Sequence, residues 1–91
     1  VAVTHALHVR YFAAARDAAG VSDDVVTIDP GSDGTVTVAA IREIMLRRRP
    51  ELATVLKQSR LAINQRFVGD GDSVIVASIA EVAVIPPVAG G

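Results

Sequence analysis

No cysteine occurs among the 91 residues, which removes disulfides, thiolate metal sites and a side-chain thiol nucleophile at once. Aromatic residues are almost as scarce: two phenylalanines, one tyrosine and no tryptophan. Nine Lys and Arg against ten Asp and Glu leave a formal net charge of −1. A general affinity for nucleic acid or an anionic membrane is therefore not expected. The two histidines, His5 and His8, are too few ligands to close a metal site. No run is apolar for long enough to span a bilayer, and the first residues lack the charged-then-apolar order of a signal peptide. The cytoplasm is the expected address.

What is present is apolar. Hydrophobic residues make up 51% of the chain, enough for the core of one small domain but not for a core plus a deep private active-site cleft. Such a chain is expected to work with a partner, and to bind no cofactor tightly itself.

The order of elements follows from local patterns. In "ALHVRYFA", Leu7, Val9 and Tyr11 alternate with His8, Arg10 and Phe12, the period of a half-buried strand with Phe12 on its polar side. "AARDAAG" (14–20) predicts a short helical turn closed by Gly20, and "DVVTID" (24–29) a second strand, antiparallel to the first. "PGSDG" (30–34) is turn chemistry. Thr37 then caps a helix that carries Val38, Ile41, Ile44 and Met45 on one side, until Pro50 stops it.

The run Arg47-Arg48-Arg49 falls at that helix's C-terminal end, where cations meet the negative end of the dipole and consecutive side chains fan out around the axis; phosphate binding is the alternative. Residues 51–57 are helical or loop. "RLAIN" and "RFV" flank Asn64-Gln65, a tight turn between strands, since Asn tolerates positive φ. "VGDGDS" (68–73) has the alternating Asp and Gly of a calcium loop without its closing glutamate, and reads as a surface turn. "EVAVI" (81–85) is a short strand that runs straight into Pro86-Pro87.

Two hairpins separated by one amphipathic helix predict an α+β fold, a mixed sheet with the helix laid across one face. This is the β-grasp, or ubiquitin-like, arrangement, here spanning residues 1–85 with an extended tail at 86–91. "EVAVIPPVAGG" after "LAINQRFV", with "VRYFAAARDAAG" near the start, resembles the small subunit of molybdopterin synthase, the sulfur-carrier family of molybdenum-cofactor biosynthesis. The resemblance runs from about Leu7 to Gly91. It departs at Ser78-Ile79-Ala80, where the family usually has an Asp-Gly-Asp turn. The first six residues have no clear family equivalent.

The resemblance implies a chemistry for the end of the chain. Gly91 is adenylated by an ATP- and Mg-dependent activating enzyme and converted to a thiocarboxylate with sulfur from a donor protein. The sulfur then passes to cyclic pyranopterin monophosphate in the large molybdopterin synthase subunit, within a heterotetramer of two large and two small subunits. Catalytic side chains belong to the large subunit. Phe12, Phe67 and Ile85 match apolar interface positions of the family, and Arg16 matches a polar contact near them; the alternative for Phe67 and Ile85 is that they are ordinary core residues.

The residue types suit that chemistry. Gly90 and Gly91 have no Cβ to obstruct a narrow channel. Pro86 and Pro87 lack backbone donors and fix φ, which ends the sheet and stiffens the root of Val88, Ala89 and the glycines. Extended, residues 86–91 reach on the order of 20 Å. A carrier for thiamine or cysteine biosynthesis, a protein modifier conjugated through Gly91, and a plain interaction domain with an inert tail are the alternatives.

Overall fold

The computed structural model describes residues 4–87; Val88, Ala89, Gly90 and Gly91 lie outside them. The chain opens with β1 (His5–Tyr11), and Leu7, Val9 and Tyr11 are buried as their alternation requires. Ala13 (φ 48°) turns the chain sharply into α1 (Ala13–Ala19), which Gly20 closes at φ 78°. A side chain in that left-handed region is strained, which accounts for glycine at the helix end. β2 (Asp23–Ile28) returns antiparallel to β1.

After β3 (Thr35–Thr37), the Thr37 hydroxyl accepts from the Ala40 amide at 3.2 Å and starts α2 (Val38–Arg48). The next two orphan amides of α2, on Val38 and Ala39, donate to the carbonyls of Asp72 and Asp70. The 68–73 turn thus serves as a backbone cap for the main helix. Pro50 begins a 3₁₀ turn, Pro50–Leu52, that leads into α3 (Ala53–Gln58). Arg42 bridges these parts: its Nη1 donates to the Leu56 and Ser59 carbonyls at 2.6 and 3.0 Å, and its fork holds Asp70.

β4 (Arg60–Ile63) and β5 (Arg66–Val68) form the second hairpin, with Asn64 at φ 53° and Gln65 at φ 68°. Both central residues are left-handed, the type I′ geometry whose twist matches that of the strands. β6 (Ser73–Ile75) is the strand expected after the 68–73 turn, but it pairs antiparallel with β3 as a separate two-stranded ladder, a pairing the sequence reading did not make. A 3₁₀ turn (Val76–Ser78) leads towards β7 (Val82–Ile85).

The main sheet runs β2-β1-β7-β4-β5, with β7 parallel to β1 and antiparallel to β4. The last strand is therefore the central one. Its Val82 and Val84 are fully buried against Leu61, Val9, Ile41 and Leu56 in a single core between the sheet and the helices. Ala62 and Ala83 are buried without belonging to that core cluster. They lie on the other face of the sheet, which no helix covers.

The Ser78-Ile79-Ala80 segment, where the sequence departs from the family pattern, is held by one side chain. Asn64 Nδ2 donates to the Ser78 carbonyl at 2.8 Å, and its Oδ1 accepts from the amides of Ala80 and Glu81 at 2.8 and 3.2 Å. The residue that makes the hairpin turn also sets the entry to β7.

Candidate functional site

Period-2 alternation sends Val82 and Val84 into the core and leaves Ala83 and Ile85 on the uncovered face. On β4 the same rule leaves Ala62 there, and the two-residue turn sets Phe67 directly opposite Ala62. The parity that sequence alone left open is thereby fixed: Phe67 is on the outer face and 53% exposed. Phe12 stands at the corner where β1 passes into α1, 38% exposed.

These residues meet. Phe12, Phe67 and Ile85 line one shallow depression of about 320 Å³, floored by Ala62 and Ala83 and rimmed by Arg10, Gln65 and Glu81. Ile85 is only partly buried, so it belongs to this face and not to the core. Arg16, on α1, is exposed and does not line the depression. The small floor residues were absent from the sequence reading, which had Arg10 only as one of the residues alternating with the apolar face of β1. Their signal was there in the alternation of Ala62 with Leu61 and Ile63, and of Ala83 with Val82 and Val84.

The tail root lies at the end of the same strand. Pro86 is buried and Pro87 exposed, so the chain leaves the body between the two prolines. The calls on Val88, Ala89, Gly90 and Gly91 fall outside the described residues.

A polar cluster braces this end of the sheet, where Tyr11 pairs with Val84. Asp24, its side chain only 7% exposed, accepts from Arg48 Nη2 at 2.9 Å, Arg49 Nε at 2.7 Å and the Val25 amide at 2.8 Å, while the Tyr11 hydroxyl approaches at 3.4 Å. Arg49 Nη1 also donates to the Ala19 carbonyl at the end of α1. The expectation that the arginines fan apart is corrected here. Arg49 has left the helix (φ −134°, ψ 84°), and this lets its side chain converge with that of Arg48 on one carboxylate. Hydrogen bonding from Arg48, reinforced by Arg49 and the Val25 amide against the cost of burial, holds the Asp24 carboxyl well below the usual carboxylate range. Burial, and then the Asp24 charge, push the Tyr11 phenol up.

Among the described residues no group of three or more His, Asp or Glu is placed to hold a metal ion, and no helix is long and apolar enough to cross a membrane. What the arrangement offers is a shallow depression with an apolar floor and polar rim, continuous with the strand that leads to Pro86-Pro87.

Comparison with known proteins agrees with this geometry. The ThiS family model matches residues 9–91. The molybdopterin synthase sulfur carrier subunit of Chlamydomonas reinhardtii is 34% identical over 85 residues, covering 93% of this chain and 98% of that protein. The human subunit of the same name is 30% identical over 86 residues, covering 93% of each. Among solved structures, SAMP1 from Haloferax volcanii superposes with a TM-score of 0.76 over 96% of this chain and all of that one, at 23% identity, a likeness of fold alone. With its family model matched from β1 to Gly91 and relatives matched over nearly their whole length, this chain belongs to the ThiS family and is of the molybdopterin synthase sulfur-carrier kind.

Proposed function

We propose that the chain carries sulfur on the carboxyl group of Gly91 and delivers it, docked through the Phe12–Phe67–Ile85 face, to the large molybdopterin synthase subunit. One observation carries the docking part: β7 supplies both the centre of the apolar face, through Ala83 and Ile85, and the root of the tail, through Pro86 and Pro87. A partner seated on that face receives residues 86–91 at a fixed place.

A carboxylate is a poor electrophile, so an activating enzyme first joins it to AMP from Mg-bound ATP with loss of pyrophosphate. A sulfur nucleophile then attacks the acyl carbon and AMP leaves, giving the thiocarboxylate. This chain supplies no catalytic side chain. The large subunit does, in a heterotetramer of two large and two small subunits, and cyclic pyranopterin monophosphate receives the sulfur.

Intact-mass spectrometry after incubation with activating enzyme, ATP and sulfide tests the terminal chemistry: one oxygen is replaced by sulfur. Adding one alanine after Gly91 keeps both glycines but displaces the carboxylate by about 3.5 Å, where about 1 Å already costs positioned chemistry a hundredfold. The extended variant is expected to fold, to bind the large subunit and to transfer no sulfur. Full activity of that variant, its alanine verified by mass afterwards, would sink the assignment to Gly91.

A further inference from the structure

The docking face has a charge pattern that apolar contact does not use. Across β1, β7, β4 and β5 one row reads Arg10, Ala83, Ala62, Phe67. In the next row Arg60 is opposite Ile85, and Phe12 follows Tyr11, the partner of Val84, so the order is Phe12, Ile85, Arg60. The rows run in opposite senses, one from cation to ring and the other from ring to cation. Each guanidinium covers a ring from the other row: Arg10 Cζ lies 5.2 Å from the Phe12 centroid, and Arg60 Cζ lies 3.8 Å from that of Phe67.

Stacking uses the flat face of a guanidinium and leaves its N–H edge available for a carboxylate. Arg42 spends that edge on Asp70, and Arg48 and Arg49 spend theirs on Asp24. Arg10 and Arg60 largely keep theirs, as do Arg16, Arg47 and Arg66, but among the described residues it is Arg10 and Arg60 that are stacked on rings of the docking face. Among the described residues Arg60 has no carboxylate within 4.0 Å. Arg10 has a single 3.9 Å approach to Asp23, whose side chain is 73% exposed. In a chain of net charge −1, two cations thus stand on one face, each over a ring, with most of their hydrogen-bonding edges unspent. Two strand spacings and two residues along the strand put their Cα atoms about 12 Å apart, on opposite sides of the alanine floor.

We propose that the partner surface recognised here carries two carboxylates, one set against Arg10 and one against Arg60, on either side of an apolar side chain seated over Ala62 and Ala83. Glu81 on the rim repels a third carboxylate and so fixes which way round the partner sits. This rests on the docking reading above and adds the partner's chemistry to it.

The test is the affinity of the full chain for the cognate large molybdopterin synthase subunit, measured from low to about 0.5 M salt, across which the screening length falls several-fold. Wild type is expected to weaken as salt rises. Arg10→Gln with Arg60→Gln is expected to bind about tenfold more weakly at low salt and to lose most of the salt dependence, because charges at an interface rim act largely through steering. Arg10→Lys with Arg60→Lys keeps the salt slope, and Phe67→Ala weakens binding at every salt concentration with the wild-type slope. If the double glutamine variant matches wild type in affinity and slope while Phe67→Ala is weaker, the carboxylate pair is refuted and the docking reading stands. If Phe67→Ala also binds as wild type, the docking reading itself fails.

Discussion

Replacing Asp24 by Asn removes the charge on which Arg48 and Arg49 converge, with almost no change of shape. The amide oxygen can still accept from the Val25 amide, but the amide nitrogen then faces guanidinium donors. Hydrogen bonds to charged groups contribute about 1.5–3 kcal/mol each, and removing one partner of a fully buried pair costs about 3–5 kcal/mol. The arginine side chains are 49% and 22% exposed, so water recovers much of that. Arg49 also keeps the Ala19 carbonyl. A net loss of about 2 kcal/mol is expected, which lowers the melting temperature of a domain this size by roughly 8–16 °C.

The loss has a definite pH dependence. The folded pKa of Asp24 is depressed, so its contribution is fully present above the unfolded value of about 3.9 and disappears as pH falls through the lower folded value. Thermal melts of wild type and Asp24→Asn should differ by a constant amount near neutrality and converge in acid below about pH 4. A neutral-pH difference under about 0.5 kcal/mol, the range of an ordinary surface substitution, would refute the argument. So would a difference that grows in acid.

Two further outcomes follow from the outer face and the turn beside it. Phe67→Ala should weaken binding to the large subunit by about 1–3 kcal/mol, as an interface hot spot does, with unfolding free energy held within about 0.5 kcal/mol; a large stability loss with intact binding would place the ring in the core. Asn64→Ala loses three side-chain hydrogen bonds and leaves at φ 53° a residue without the short polar side chain that makes asparagine tolerant of the left-handed region, for an expected cost of about 2–3 kcal/mol. Hydrogen exchange at the Ala80 and Glu81 amides checks it directly, since both should lose protection.

The elements with a local signal were legible in the sequence. β1 and β2 alternate, Thr37 and Pro50 bracket α2, and Asn64-Gln65 turns as a residue pair tolerant of positive φ must. The β3–β6 ladder was not legible, because each strand has three residues and its partner lies far along the chain. Nor was the convergence on Asp24, which depends on Arg49 leaving the helix. Phe12, Phe67 and Ile85 were singled out through family resemblance, and no periodicity could place Phe67 until the length of the turn was fixed. The stacking of Arg10 and Arg60 was not legible either, since a geometry set by neighbouring strands leaves no trace in linear order.

The central position of β7 bears on how the molecule is made. Without Val82–Ile85, the β1–β2 and β4–β5 hairpins share no edge, and the core lacks two of its fully enclosed valines. All the other strands leave the ribosome earlier, so the sheet closes only when its last strand has been synthesised. A chain released early, or clipped before Val82, is left with two unjoined hairpins and open strand edges, the kind of species that proteases and chaperones take up. Because β7 precedes residues 86–91 in the chain, any molecule that has made those residues has also made the strand that closes its sheet.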